Sequence, residues 1–200
     1  MAAVTVIPAN PPAPRATRPR VLLVGTCLAI AACFMLFAGL IGIYLSTRAG
    51  VIHHGGTWLP KGAAIPLTPA TMTLFTFLLS AVTMRWSVWA VTNNDRQHAL
   101  LALAVTMLFG ICTINATSFL YSQTHLGVGS SATGALFYVI TGAHLAMIVA
   151  ALVFAGLMTF RTLGGEYSGR DREGIVAASL FWYATIAVYA VIWYAVYVTK

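Results

Sequence analysis

Five apolar runs dominate this chain, and the stretches between and around them hold nearly all its charge. The runs cover 21–46, 68–91, 98–122, 134–160 and 174–198. At about 1.5 Å per residue, each exceeds the roughly 30 Å hydrocarbon core of a bilayer. The pattern predicts an all-α fold: a polytopic membrane bundle of five transmembrane helices over 21–200, preceded by a tail over 1–20. In the fourth run, Gly142, Ala146 and Ala150 fall four apart and make a smooth ridge suited to close helix packing. Ala38, Gly42 and Ser46 repeat that spacing in the first run, so the first and fourth helices are expected to pack on one another. Beside the ridge stands His144, the only histidine deep within a span. A neutral imidazole in hydrocarbon must find a partner, which makes His144 either a hydrogen-bonded packing residue or a functional one.

The connections carry their own signals. The tail holds five of the eight prolines with Arg15, Arg18 and Arg20, and reads as a mobile basic segment. The first run is longer than the core of a signal peptide and no good cleavage site follows it, so it is expected to remain as a span. In 47–66, glycine and proline break the helix, Trp58 is expected at the membrane interface, and His53-His54 lack a third ligand at a recognisable spacing. Thr68 and Pro69 predict the N-cap and first residue of the second helix. Arg85, Trp86 and Trp89 mark its far end, and Asn93-Asn94-Asp95 a tight connection. Gly110 and Asn115 interrupt the third run. The main soluble loop, 161–173, holds three of the four acids, and Trp193, Tyr194 and Tyr197 are expected to form an aromatic belt before Lys200.

Composition confirms the class. With 60% hydrophobic and 8% charged residues and a mean hydropathy of +0.86, the chain cannot build the surface of a soluble globule. The net charge of +7 sits beside the spans, where it orients helices, and does not read as a nucleic-acid surface. Eight Lys and Arg fall on the N-terminal side, whereas Arg48, Lys61 and Lys200 fall on the other. This predicts a cytoplasmic N-terminus and an exported C-terminus. Cys27, Cys33 and Cys112 lie within spans and read as packing residues.

Candidate chemistry is sparse. Asp95, Glu166, Asp171 and Glu173 all fall in predicted loops, leaving no carboxylate for a proton relay inside the bilayer. A transmembrane haem needs two facing histidines, but His98 and His125 lie at helix ends on opposite sides. Cys27 and Cys33, six apart, share no helical face and make no copper box. From the residues alone, this is a helical packing protein that belongs to something larger.

A resemblance adds to that reading. Val24-Gly25-Thr26, Phe37-Ala38-Gly39-Leu40 and Tyr44 in the first span, with Thr57-Trp58 and Pro60 after it, resemble the short, five-helix form of haem–copper oxidase subunit III. Phe137-Tyr138 and Thr141-Gly142-Ala143-His144 resemble that family's fourth-span signature, and Trp182 and Tyr197 its last helix. The chain departs from the family at Cys33 and Ser118, where it has acidic residues, and at Met147 and Tyr183, where it has histidines. Ile186 replaces a further aspartate. The resemblance implies an accessory subunit of a bacterial terminal oxidase in the plasma membrane. Such a subunit packs against catalytic subunit I and subunit II, which hold the haem and copper, and binds membrane lipids. It implies no catalytic, cofactor-binding or metal-ligating residue in this chain. Gly142, Ala146, Ala150, Ala38, Gly42, His144, Trp58 and Trp182 are expected to serve structure or interfaces. The alternatives are an accessory subunit of a nitric oxide reductase, or a small transporter or channel lined by His144, Asn115 and the last helix.

Overall fold

The computed structural model describes residues 20–60, 62–129, 131–165, 167 and 172–199. The tail over 1–19 lies outside the described residues, as do Lys61, Glu166, Asp171 and Lys200. Five helices are long and apolar enough to cross a membrane: α1 (Val21–His53), α2 (Leu67–Thr92), α3 (Arg96–Thr124), α4 (Ala132–Leu163) and α5 (Glu173–Ile192). A π-helical turn, Trp193–Val198, continues α5. Among the described residues there is no strand.

The ends of the helices differ from the sequence expectation for local reasons. Nothing between Ser46 and His53 breaks a helix strongly, so α1 runs to His53 and stops just before Gly55, whose φ is +74°. The second helix starts one residue before the expected cap: Pro66 occupies the N-cap position, and Thr68 and Pro69 lie inside the first turn. An amide missing there is no loss, because the first-turn N–H groups have no intrahelical acceptor. Asn94, at φ 58°, makes the tight turn into α3. Asp95 caps α3 by accepting the His98 amide at 3.1 Å, and Ser131 caps α4 by accepting the Gly134 amide at 3.1 Å. The amide donated by His98 holds the exposed Asp95 carboxyl below its ordinary range. Glu173 is not a loop residue but the first of α5, and its Oε1 accepts the Leu23 amide at 3.0 Å, joining the N-termini of α1 and α5.

Helices α2, α3, α4 and α5 contact one another in a ring, and α1 lies outside it against α5 and, less closely, α4. Of the five, α5 is the most enclosed and α1 the least. The two small-residue ridges do not meet. Ala38, Gly42 and Ser46 are exposed on α1, as are Ala146 and Ala150 on α4, while Gly142 is half-buried. Instead α1 turns Thr26, Ile30, Phe37, Ile41 and Tyr44 inward. Large side chains on one helical stripe supply more van der Waals contact than a smooth strip does, and lipid is apolar enough to cover the rest.

The aromatic residues expected near the membrane surface also turn mostly inward. Trp58 is buried, and its Nε1–H donates to the Tyr44 hydroxyl at 3.0 Å with the rings edge-on. Tyr197 is buried against Phe137, and Trp193 is half-buried and donates to Thr71 Oγ1 at 3.1 Å. Of the three residues expected at the exit, Tyr194 alone is exposed. Each inward ring has found a hydrogen-bond or ring partner within the bundle.

Candidate functional site

His144 sits at the centre of the bundle. Its neighbours come from three helices: Phe37 of α1 and Phe77 of α2 at centroid distances of 6.1 and 5.9 Å, and Tyr189 of α5 at 5.3 Å. The ring is buried, and Nε2 lies 3.0 Å from the Thr185 carbonyl oxygen of α5. A carbonyl only accepts, so Nε2 carries the hydrogen in this bond. His144 is thus a tie between α4 and α5 inside an aromatic box.

A second set of ties was not foreseen in the sequence. Helix α5 presents aromatic donors to α2: Trp182 Nε1–H to Ser80 Oγ at 3.0 Å, Tyr189 O–H to the Ala70 carbonyl at 2.9 Å, and Trp193 as above. Ser80 passes the chain on by donating to the Phe77 carbonyl at 2.7 Å. The signal was present, since 182, 189 and 193 fall seven and four apart on one helical face and each ring has a polar end. Their partners on α2 are a serine, a threonine and a backbone carbonyl, which carry no recognisable spacing.

The positions where the resemblance places ionisable groups differ in burial, and Tyr183, one of them, is half-buried with its hydroxyl unpartnered among the described residues. Met147 and Ile186 are buried in the two apolar clusters of the core, Cys33 is half-buried, and Ser118 is exposed. The two described carboxylates, Asp95 and Glu173, stand at helix N-termini. His53 and His54 are exposed at the end of α1, and among the described residues no group of three His, Cys, Asp or Glu is placed to hold a metal ion. Asn115 is exposed on α3, whereas His144 is enclosed, so the two do not line a common path. One open apolar groove of about 480 Å³ lies where Leu22, Gly25 and Ala29 of α1 face Ala150 and Phe154 of α4 and Phe181 of α5.

The arrangement predicts a modest, non-chemical role for the histidine. His144→Leu should lower stability by about 1 kcal/mol, the net value of one buried hydrogen bond, while His144→Gln retains a donor and costs less. Unfolding midpoints in a fixed detergent test this; a glutamine variant as weak as the leucine variant would contradict it.

Comparison with known proteins agrees with this geometry. The family model described as "Cytochrome c oxidase subunit III" matches residues 16–200. The cytochrome c oxidase subunit 3 of Strongylocentrotus purpuratus is 27% identical over 168 residues, covering 82% of this chain and 64% of the relative. That of Bos taurus is 26% identical over 177 residues, covering 86% and 67%. The probable cytochrome c oxidase subunit 3 of Mycobacterium tuberculosis (strain ATCC 25618 / H37Rv) is 26% identical over 184 residues, covering 88% of this chain and 89% of the relative. The chain therefore spans about two thirds of the length of the animal relatives and nearly the whole of the mycobacterial one. A five-helix membrane bundle whose buried polar groups serve as ties, matched from Ala16 to its last residue, belongs to the cytochrome c oxidase subunit III family.

Proposed function

We propose that this chain is an accessory, non-catalytic subunit of a bacterial haem–copper terminal oxidase, packed against the catalytic subunit and stabilising it. The observation that carries the proposal is the family match over 16–200. The geometry supports it: the deep histidine is spent on a backbone carbonyl, and Met147 and Ile186 fill positions where the resemblance places ionisable groups. Haem and copper belong to the partner subunits in this reading, and no residue of this chain is assigned to them. The groove beside Ala150 is of a size and polarity for a lipid acyl chain.

The stretch of half-buried Gly142 and exposed Ala146 is the proposed contact with the catalytic subunit. A side chain begun at Gly142 would meet nothing within 4 Å inside the chain. Gly142→Leu should therefore leave the fold unchanged and reduce several-fold the catalytic subunit recovered with a tagged chain. The test is purification in mild detergent with an absorption spectrum: a co-purifying large subunit carrying haem and consuming oxygen is expected. Nitric oxide consumption without oxygen consumption would assign the chain to a nitric oxide reductase. A haem-free preparation would overturn the proposal, and undiminished recovery with Gly142→Leu would remove the ridge from the interface. In the intact complex, His144→Gln should leave turnover and its pH profile as in wild type.

The proposed orientation puts the N-terminus in the cytoplasm, from the excess of Lys and Arg on that side. Reporter fusions at Gly62 and Gly165 should read outside and inside respectively; the opposite pattern would reverse it.

A further inference from the structure

Arg85 carries a charge on the outer surface of α2 at membrane depth. It is exposed, yet α2 runs two turns past it to Thr92. With α2 centred in the bilayer, Arg85 follows the helix midpoint, between Leu79 and Ser80, by about 8 Å, whereas half the hydrocarbon core is about 15 Å. Its Cα–Cβ bond tilts toward the helix N-terminus, which in this half of the span is toward the middle of the membrane and away from the nearer surface. Exposed Trp89, one turn on, occupies the same stripe on the surface side. The charge instead falls at the seam with α5, where it acts on the Tyr183 hydroxyl; the preceding residue, Trp182, donates to Ser80 at the middle of α2. Among the described residues Arg85 has no hydrogen bond and no ion pair. A guanidinium at this depth is costly unless an anion meets it.

Depth and access identify the anion. The Tyr183 hydroxyl is closed to solvent, so the exposed guanidinium is the group that a partner meets. Lipid phosphates lie about 20 Å from the membrane middle, half of the roughly 40–45 Å between headgroup layers, and well beyond Arg85. A carboxylate on a neighbouring helix can stand at any depth, and it matches the guanidinium fork with two parallel hydrogen bonds. The described carboxylates of this chain are engaged elsewhere, Asp95 on the His98 amide and Glu173 on the Leu23 amide. We propose that a transmembrane helix of a partner subunit lies along the outer stripe of Val82, Arg85 and Trp89 and meets Arg85 with a carboxylate. Exposed Val82 and Trp89 give that helix an apolar packing surface on either side of the charge. Thr92, seven residues after Arg85 on the same stripe, accepts from Arg172 Nη1 at 2.8 Å, so a second cation stands where the partner helix emerges. The assignment rests on the reading of this chain as one subunit of a membrane complex. It names a second contact, on the helix across the ring from α4 with its Gly142 and Ala146.

The test uses the full chain with its accompanying subunits, carrying photoreactive p-benzoylphenylalanine in place of Val82, with Arg85 left intact. Irradiation should cross-link position 82 to one partner chain, and peptide mass spectrometry should place the link within about a turn of an Asp or Glu in an apolar span. Cross-links to lipid alone, or to a partner span without an acid, overturn the proposal. Arg85→Gln should speed dissociation of that partner about tenfold, and Arg85→Lys, which keeps the charge and loses the fork, should fall between. Arg85→Glu combined with arginine at the partner's acid should restore retention. Dissociation unchanged in Arg85→Gln, or a charge exchange that restores nothing, overturns the pair. A loss reproduced in full by Glu166→Gln or Asp171→Asn would place the carboxylate within this chain and overturn it equally. A haem-bearing complex recovered intact without a link at position 82 would defeat this contact and leave the accessory-subunit reading in place. A cross-linked acidic partner in a preparation free of haem would support the contact and defeat that reading.

Discussion

Trp182→Ala is expected to destabilise the bundle by on the order of 3 kcal/mol. The indole is almost completely buried in α5, with its N–H on Ser80 of α2 and its far edge against Gly110 of α3. In detergent or lipid, the unfolded helices remain in an apolar medium, so the transfer contribution that dominates in water is small. The packing contribution remains, because a void between three helices leaves its lining without partners. Trp182→Phe fills most of that space and loses one hydrogen bond, and is expected to cost about 1 kcal/mol. Unfolding midpoints in a fixed detergent check both. If the alanine and phenylalanine variants unfold together, the helices have closed on the void and the packing account fails.

Gly110→Leu should be of comparable severity for the opposite reason. A Cβ placed on Gly110 would lie 2.7 Å from Leu152 Cδ2 of α4 and 2.7 Å from Trp182 Cη2 of α5. Real Cβ atoms do not approach so closely, so α3 lies as near as it does because this residue has no side chain. Leucine would force the helices apart, at about 1–3 kcal/mol or more, and is expected to reduce the yield of monodisperse protein. Alanine should cost less, and less again in a Trp182→Phe background, with a coupling of about 1 kcal/mol. Strict additivity of the two changes would mean that the indole is not what occupies the space. Gly142→Ala is the control: nothing lies within 4 Å of its Cβ position, and the midpoint should stay within about 0.5 kcal/mol of wild type.

These two positions show where sequence reading stopped. Trp182 was legible as a structural candidate through the family resemblance, and Gly110 as a small interruption of the third span, but nothing in the one-dimensional pattern placed one against the other. His144 was legible as the deep polar residue because hydrocarbon makes any such group conspicuous. Its partner was not, since a backbone carbonyl of α5 leaves no mark in composition. Helices α1 and α4 do touch, through Phe37 and His144, but the ridges at Gly142 and Gly42 misled about the surfaces used, because a small-residue stripe says that close approach is possible without saying which surface approaches.

The number of spans, their all-helical character and their membrane setting were determined by the sequence alone. Runs of some 25 apolar residues need a bilayer, and within it every backbone N–H and C=O must be satisfied internally, which a helix does by itself. Tertiary structure decided which face of each helix turns inward. In water, hydrophobicity would have marked that face, but lipid tails are as apolar as leucine, so Ile43 and Ile41 of α1 are equally at home outside and inside. The choice fell to shape and to the few polar groups that needed partners. Phe37 and Tyr44 found places against α4, α5 and the following loop, the aromatic donors of α5 found acceptors on α2, and Arg48 was left half-buried with its Nε unmatched.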